Sequence, residues 1–355
     1  MGIIQFLMAW RDLLLNFLNE IKKMFSIKSL RELFEDGMNN ISNHLNIFRG
    51  RLSNLPQTNI ELALYHYNHS NLKDAVFRFK MLKRFYKDYQ YSDYYLGRCY
   101  LELNNIEKAK IHLSAYIASD NKDFLESAEY CYRIVLRDTK SIKQVPDIIA
   151  ERIYDQISKV YNDVFFRSEE NYCTLIISSL NKYFAEINSP YGNKALDLCV
   201  ATGKISDAIK SHKISSTIDG LSISQNMIDI ASSLRVDNIP VFNSLKKASL
   251  RDILALQQSE KYKLVVADNL MTFTSDLNAI ISLISSSLDE SGVGVIVFRN
   301  SKNSGDVFFD YMYEEFTYDV AYVEKCVNDM GMKTYMNQNF KFPNGDIFSV
   351  MLLIK

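Results

Sequence analysis

The stretch Lys194-Ala-Leu-Asp-Leu-Cys-Val-Ala-Thr-Gly203, followed by Thr217-Ile-Asp-Gly-Leu-Ser-Ile-Ser-Gln-Asn-Met-Ile-Asp-Ile-Ala231, constrains the fold of this chain more than any other feature. A short apolar run ends in small residues and a glycine. A second apolar run follows one helix length later and opens into another helical pattern. Buried strand, tight turn, helix, strand and helix start, in that order, open a doubly wound α/β domain. In such domains the first strand-to-helix turn holds a nucleotide-like cofactor.

The alternation continues to the end of the chain. Strands are expected at residues 195–200, 217–222, 240–243, 263–268, 293–299, 333–340 and 347–354. The last two are joined by Pro343-Asn344-Gly345-Asp346, a hairpin-like connection. Asn188-Ser-Pro-Tyr-Gly192 is a turn-forming cluster at which the α/β half begins.

The first half is different. Leu62-Ala63, His66, Ala75 and Phe79 recur 34 residues later as Leu96-Gly97, Tyr100, Ala109 and Leu113. Small residues at two helix crossings with that period are the signature of tetratricopeptide (TPR) repeats. Tyr130-Cys131 starts a third copy that fades, so residues 122–137 are expected to cap the stack. Ahead of the repeats, Ile3, Leu7, Trp10, Leu14, Phe17, Ile21 and Met24 mark one face of an amphipathic helix. Polar residues interrupt it too often for a membrane span, and it lacks the pattern of a signal peptide. Burial against neighbouring helices, a partner helix and a membrane surface all remain open for that face.

Lys plus Arg total 41 against 42 Asp plus Glu, a net charge of -1, so no basic field draws in nucleic acid. Five dispersed cysteines without a Cys-x-x-Cys pair speak against a metal site or disulfide framework, and for a cytoplasmic setting.

The run at 194–203 resembles the Leu-Asp-Leu-Gly-Cys-Gly-Thr-Gly motif of class I S-adenosylmethionine-dependent methyltransferases. Gly220-Leu-Ser-Ile-Ser-Gln-Asn-Met227 resembles their Gly-Val-Asp-Leu-Ser-x-x-Met, Leu264-Val-Val-Ala-Asp268 their fourth-strand motif, and Leu288-Asp-Glu-Ser-Gly-Val-Gly294 their Leu-x-Pro-Gly-Gly. Tyr154-Asp155 and Tyr161-Asn162 resemble the Phe-Asp…Phe-Asp segment that, in proteins joining TPR repeats to this fold, closes over the cofactor end of the sheet. Over residues 57–355 the chain is thus similar to TPR-containing methyltransferases.

The resemblance implies an α plus α/β protein: an amphipathic helical segment (1–50), TPR-like repeats (51–140), connector helices (141–187) and a Rossmann-like seven-stranded methyltransferase domain (188–355). It implies S-adenosylmethionine as cofactor, held by Asp197, Cys199, Ala201, Thr202, Gly203, Ser222, Met227 and Asn243. Cys199 and Ala201 stand where the family has glycines, and Ser222 stands where it has the acid that binds the ribose. Asp219 replaces that acid only if the strand ends sooner. A hydroxyl in place of a carboxylate forfeits ~1.5–3 kcal/mol. Asp268 and Asn269 are the candidates for acting on the acceptor. No metal is implied.

Three functions stay open: methyl transfer to a small molecule or glycan precursor, a methyltransferase-like scaffold without catalysis (a pseudoenzyme), and modification of a protein recruited by the TPR groove. Expected partners are a small-molecule acceptor and a protein or peptide at the TPR groove or N-terminal helix. Peripheral membrane contact is the less favoured alternative.

Overall fold

The computed structural model describes residues 55–166, 171–188, 193–257, 259–303 and 305–355. The amphipathic face expected over residues 1–50 lies outside the described residues. The chain divides into two compact units, Met1–Leu62 and Ala63–Lys355. Only the first turns of one helix represent the former.

Among the described residues the chain opens with five helices: α1 (Leu55–Asn68), α2 (Leu72–Phe85), α3 (Ser92–Glu102), α4 (Ile106–Ile117) and α5 (Leu125–Leu136). Burial follows the 34-residue period at the small residues and at two core positions, whereas Leu62 is exposed and its counterpart Leu96 is buried. Ala63, Cys131, Ala75, Ala109, Phe79 and Leu113 are all fully buried. At Gly97 the reason is steric: a Cβ there would lie 2.6 Å from Leu113 Cγ, so only glycine lets α3 and α4 cross this closely. Rings fill the remaining space, with Phe79 stacked on Tyr95 at 4.8 Å and Tyr94 on Phe124 at 4.7 Å.

The connector holds α6 (Asp147–Ile157), α7 (Tyr161–Phe165) and α8 (Tyr172–Glu186). Seven strands then build one sheet: β1 (Asn193–Asp197), β2 (Ser215–Ser222), β5 (Ser244–Lys247), β6 (Tyr262–Ala267), β7 (Leu288–Arg299), β10 (Lys333–Lys341) and β11 (Ile347–Ile354). Their order is β10-β11-β7-β6-β1-β2-β5. In chain order this is sixth, seventh, fifth, fourth, first, second, third. Only β11 runs against the others, pairing antiparallel with both β7 and β10. The four central strands are apolar on both faces, as a sheet covered on both sides requires. One face (Ala195, Ile218, Leu264, Val266, Val295, Val350) packs on Ile176, Ile177 and Leu180 of α8 and on Ile205 and Ile209 of α9 (Lys204–Ser211). Residues of opposite parity, such as Leu196, Val265, Ile296 and Met351, are buried on the other face. That side is covered by α12 (Leu277–Ser287) and α13 (Val320–Asp329).

α10 (Gln225–Ser232), α11 (Leu250–Leu254), α12 and α13 start alike. Ser224, Ser249, Asp276 and Asp319 each accept a hydrogen bond from the amide three residues on. Two small ribbons complete the fold: β3 (Arg235–Val236) with β4 (Ile239–Pro240), and β8 (Val307–Asp310) with β9 (Glu315–Tyr318).

The third strand of the sheet corrects the sequence expectation. It is Ser244–Lys247, not 240–243, and it pairs with Asp219–Ser222. Its residues are part-buried or exposed, because it is an edge strand and carries no apolar signal. The apolar Val241 and Phe242 that suggested a strand belong instead to the core beside it.

The helical layer is joined to the sheet by polar contacts. Arg98, almost wholly buried on α3, donates to Tyr67 Oη (3.2 Å) and Cys131 Sγ (3.2 Å) and lies 3.8 Å from Glu314 at the β8–β9 turn. Tyr130 Oη donates to Glu314 (3.2 Å) and Arg152 of α6 pairs with Glu102 (2.7 Å). The segment before α6 is pinned backbone to backbone, Val145 N to Phe273 O at 2.8 Å and Ser275 N to Lys143 O at 2.9 Å. Among the described residues no helix is long and apolar enough to cross a membrane.

Candidate functional site

The turn between β1 and α9 lies at the carboxyl edge of the sheet. Leu198 N donates to Val266 O (2.8 Å) and Val200 N to Leu221 O (2.7 Å), holding the turn between β6 and β2. Asp197, Cys199, Ala201 and Thr202 are all buried. Gly203 starts α9 at φ 80°, and a Cβ there would meet Leu234 Cδ1 at 2.9 Å and Ala231 Cβ at 3.1 Å. The glycine is thus required by packing against the following helix, independently of any ligand.

Across the turn, at the end of β6, stand Asp268 and Asn269. Asp197 accepts from Ser206 Oγ (2.7 Å) and weakly from Cys199 N (3.4 Å); Asp268 Oδ2 accepts from Tyr172 Oη (3.2 Å) and Asn269 Nδ2 (2.8 Å). No Lys, Arg or His among the described residues pairs with either carboxyl. Burial pushes Asp197 up to about 6, with Ser206 and the Cys199 amide opposing. Burial, then repulsion from Asp197, pushes Asp268 up to about 8. Burial, with both acids adding to it, also raises the Cys199 thiol, which makes it unreactive.

The connector covers this edge. Tyr161 Oη donates to Asn269 Oδ1 (2.8 Å), Thr202 Oγ1 to Asn162 Oδ1 (2.5 Å), and Ser224 Oγ to Asp155 Oδ1 (2.5 Å). A space of only about 10 Å³, room for one water, remains between the turn and Tyr161, Phe166, Asp268 and Asn269. A second cavity of about 260 Å³ adjoins it and shares Tyr161, Asp268 and Asn269.

Asp197, Cys199, Ala201, Thr202, Gly203, Asp268 and Asn269 therefore come together around one small space. Three expected residues do not face it. Ser222 is fully buried with its hydroxyl donated to Val200 O at 2.5 Å, so it is committed to the sheet's own backbone. Met227 is fully buried in the first turn of α10. Asn243 precedes β5 rather than following it, which places it at the amino edge, where its side chain donates to Asp219 (3.4 Å). Asp219 also accepts from Tyr262 Oη (3.2 Å), and β2 runs on to Ser222, so Asp219 does not replace the missing acid.

Tyr172, Ser206 and the Glu314-Glu315 pair were not anticipated at the site. Asn171 before Tyr172, an N-cap residue, was the available signal for the tyrosine. For the glutamates nothing local marks a role, because a hairpin brings them in.

No family model matches the sequence, and no curated protein matches it. Among solved structures, the chain is similar to the 1,6-didemethyltoxoflavin N1-methyltransferase of Burkholderia thailandensis, crystallised with S-adenosylhomocysteine. That match has 12% identity and TM-score 0.43, covering 59% of this chain and 89% of the other. It is similar to magnesium protoporphyrin IX methyltransferase of Synechocystis PCC 6803, with 14% identity and TM-score 0.43 over 59% and 96% of the two chains. A S-adenosylmethionine-dependent methyltransferase of Leishmania major gives 16% identity and TM-score 0.39 over 57% and 76%.

Proposed function

We propose that the α/β half binds S-adenosylmethionine and serves methyl transfer to a small-molecule acceptor, while the helical repeats act as a TPR module for a protein partner. One observation carries the reading: Asp197 and Asp268, buried at the ends of adjacent strands, have no basic partner among the described residues. Two such carboxyls are costly to bury, and a ligand with a cationic centre offsets that cost. The donor set therefore fits the methionine end of the cofactor, whose contribution when bound is a methyl group already activated on a sulfonium. Asp197 and the turn at residues 199–203 would hold that end. Asp268, with Tyr172 and Asn269 fixing its orientation, would give up its proton when a cation binds and face that cation as a carboxylate. Tyr161 and the connector would exclude water.

The alternative is a scaffold without catalysis. It is favoured by the filled turn and by Ser222, whose hydroxyl is spent on Val200 O. Calorimetric titration of the whole protein with S-adenosylmethionine and S-adenosylhomocysteine separates the two. Binding of either at micromolar to millimolar concentration supports the enzyme, and its absence at millimolar concentration leaves the scaffold.

A further inference from the structure

The cavity of about 260 Å³ lies between α6, α7, the ends of β6 and β7, and the β8–β9 turn. Its wall is aromatic and acidic: Tyr154, Tyr161, Tyr172 and Phe273 surround Asp268, and Glu314 and Glu315 stand at the hairpin side. Among the described residues that line it there is no Lys, Arg or His. The two glutamates are compensated from outside, Glu315 by Arg299 and Glu314 by Arg98. Among the described residues no base compensates Asp268, and its two donors, Tyr172 and Asn269, both go to Oδ2 rather than Oδ1.

A second, independent feature points into the same space. Tyr154 is 3% exposed and lines the cavity, and its hydroxyl has no hydrogen-bond partner among the described residues. Burial above all, with Tyr161, Cys199, Asp268 and Glu315 adding to it, opposes its ionisation, so the hydroxyl remains a neutral donor and acceptor among acids. An unmet buried hydroxyl costs ~1–3 kcal/mol, and a bound polar group recovers it. An anion would meet three carboxyls here. A purely apolar guest would leave Asp268 without a counter-charge and the Tyr154 hydroxyl without a partner. A cation among tyrosine rings gains both the carboxylate and the ring faces.

We propose that this cavity binds an amine on a small aromatic or apolar frame, its ammonium group against Asp268 and its polar hydrogens within reach of Tyr154. As the identity of the methyl acceptor this rests on the reading above; as a binding site it is tested without any methyl donor.

The full chain is titrated calorimetrically with 2-phenylethylamine, 2-phenylethanol and phenylacetate, which share one frame and differ in charge. The amine is expected to bind at least about tenfold more tightly than the alcohol, equivalent to ~1.4 kcal/mol, with phenylacetate weakest. Amine binding should tighten from pH 6 to pH 8.5, because the cation favours ionised Asp268. Asp268→Asn should erase the preference for the amine while the thermal melt remains cooperative. Tyr154→Phe should weaken the amine a few-fold without lowering the melting temperature. No amine binding at millimolar concentration, equal binding of the alcohol, or an undiminished preference in a folded Asp268→Asn protein would overturn the assignment. Amine binding in a protein that ignores S-adenosylhomocysteine would keep this site and remove the methyl-transfer reading; the converse result would do the opposite.

Discussion

Thr202 Oγ1 donates to Asn162 Oδ1 at 2.5 Å, tying the turn after the first strand to the connector helix that lies across it. These residues are 40 apart in the chain, and the bond ties the connector to the carboxyl edge of the sheet, where only about 10 Å³ remains free beside the turn. With Ser224–Asp155 and Tyr161–Asn269 it forms a seam of three side-chain bonds along that edge.

Breaking that seam should open the edge. Asn162→Ala removes the acceptor of Thr202 and is expected to cost ~1 kcal/mol of stability. Amide exchange over residues 155–166 should quicken, and affinity for S-adenosylhomocysteine should rise by up to about tenfold. Exchange measured by mass spectrometry with and without the ligand checks this. Unchanged rates over 155–166 would mean that the bond does not hold the connector down.

Gly203 should be intolerant for reasons of packing. At φ 80° a side chain is strained, and its Cβ would lie 2.9 Å from Leu234 Cδ1. Gly203→Ala is expected to cost about 2–4 kcal/mol, from left-handed strain plus overpacking. Gly345→Ala, at φ 92° with nothing within 4 Å, supplies the strain alone and should cost about 1–2 kcal/mol. Urea unfolding of both variants tests whether the difference is steric.

Asp268 should make stability depend on pH. Its folded pKa, about 8, lies above its ordinary value of 3.8, so the native state holds a proton that the unfolded chain releases. The contribution is full below about pH 4 and is lost as pH rises through about 8. Asp197 adds the same sign up to about pH 6, and the two titrate as a pair. The melting temperature is expected to fall from pH 6 to pH 8.5, and Asp268→Asn should flatten that slope. A slope of the opposite sign in the parent protein would contradict the buried-acid reading.

Arg98 should be the most sensitive polar residue of the helical layer. It is 1% exposed and reaches Tyr67, Cys131, Glu102 and Glu314 together. Arg98→Ala leaves those partners facing a buried gap and is expected to cost about 3–5 kcal/mol. Glu314→Gln keeps the shape and should cost less. Limited proteolysis should then cut the Arg98 variant first within residues 92–136, which separates loosening of this layer from global unfolding.

Much of the sheet was legible locally. Leu264, Val265 and Val266, or Val293 through Val297, form runs too apolar for anything but a strand buried on both faces, and the expected positions agree to within a few residues. Ala63, Gly97 and Cys131 announce a close helix crossing by their size and period alone. Ser244–Lys247 was not legible, because an edge strand is held by backbone bonds to a neighbour and needs no apolar pattern. Asn243 was misplaced as a consequence.

The sequence by itself determined the alternation of strands and helices and the turn at 197–203, since each follows from burial patterns within a few turns of chain. Only the tertiary structure decided how that turn is used. Ser222 spends its hydroxyl on Val200 O, and Asp155, Tyr161 and Asn162 fold back over the sheet edge. Asp197 and Asp268, 71 residues apart, become two buried acids of one site through the parallel pairing of β1 with β6. Contacts of that range arise from sheet order and helix docking, and no local period in the sequence encodes which side chains will share a charge environment.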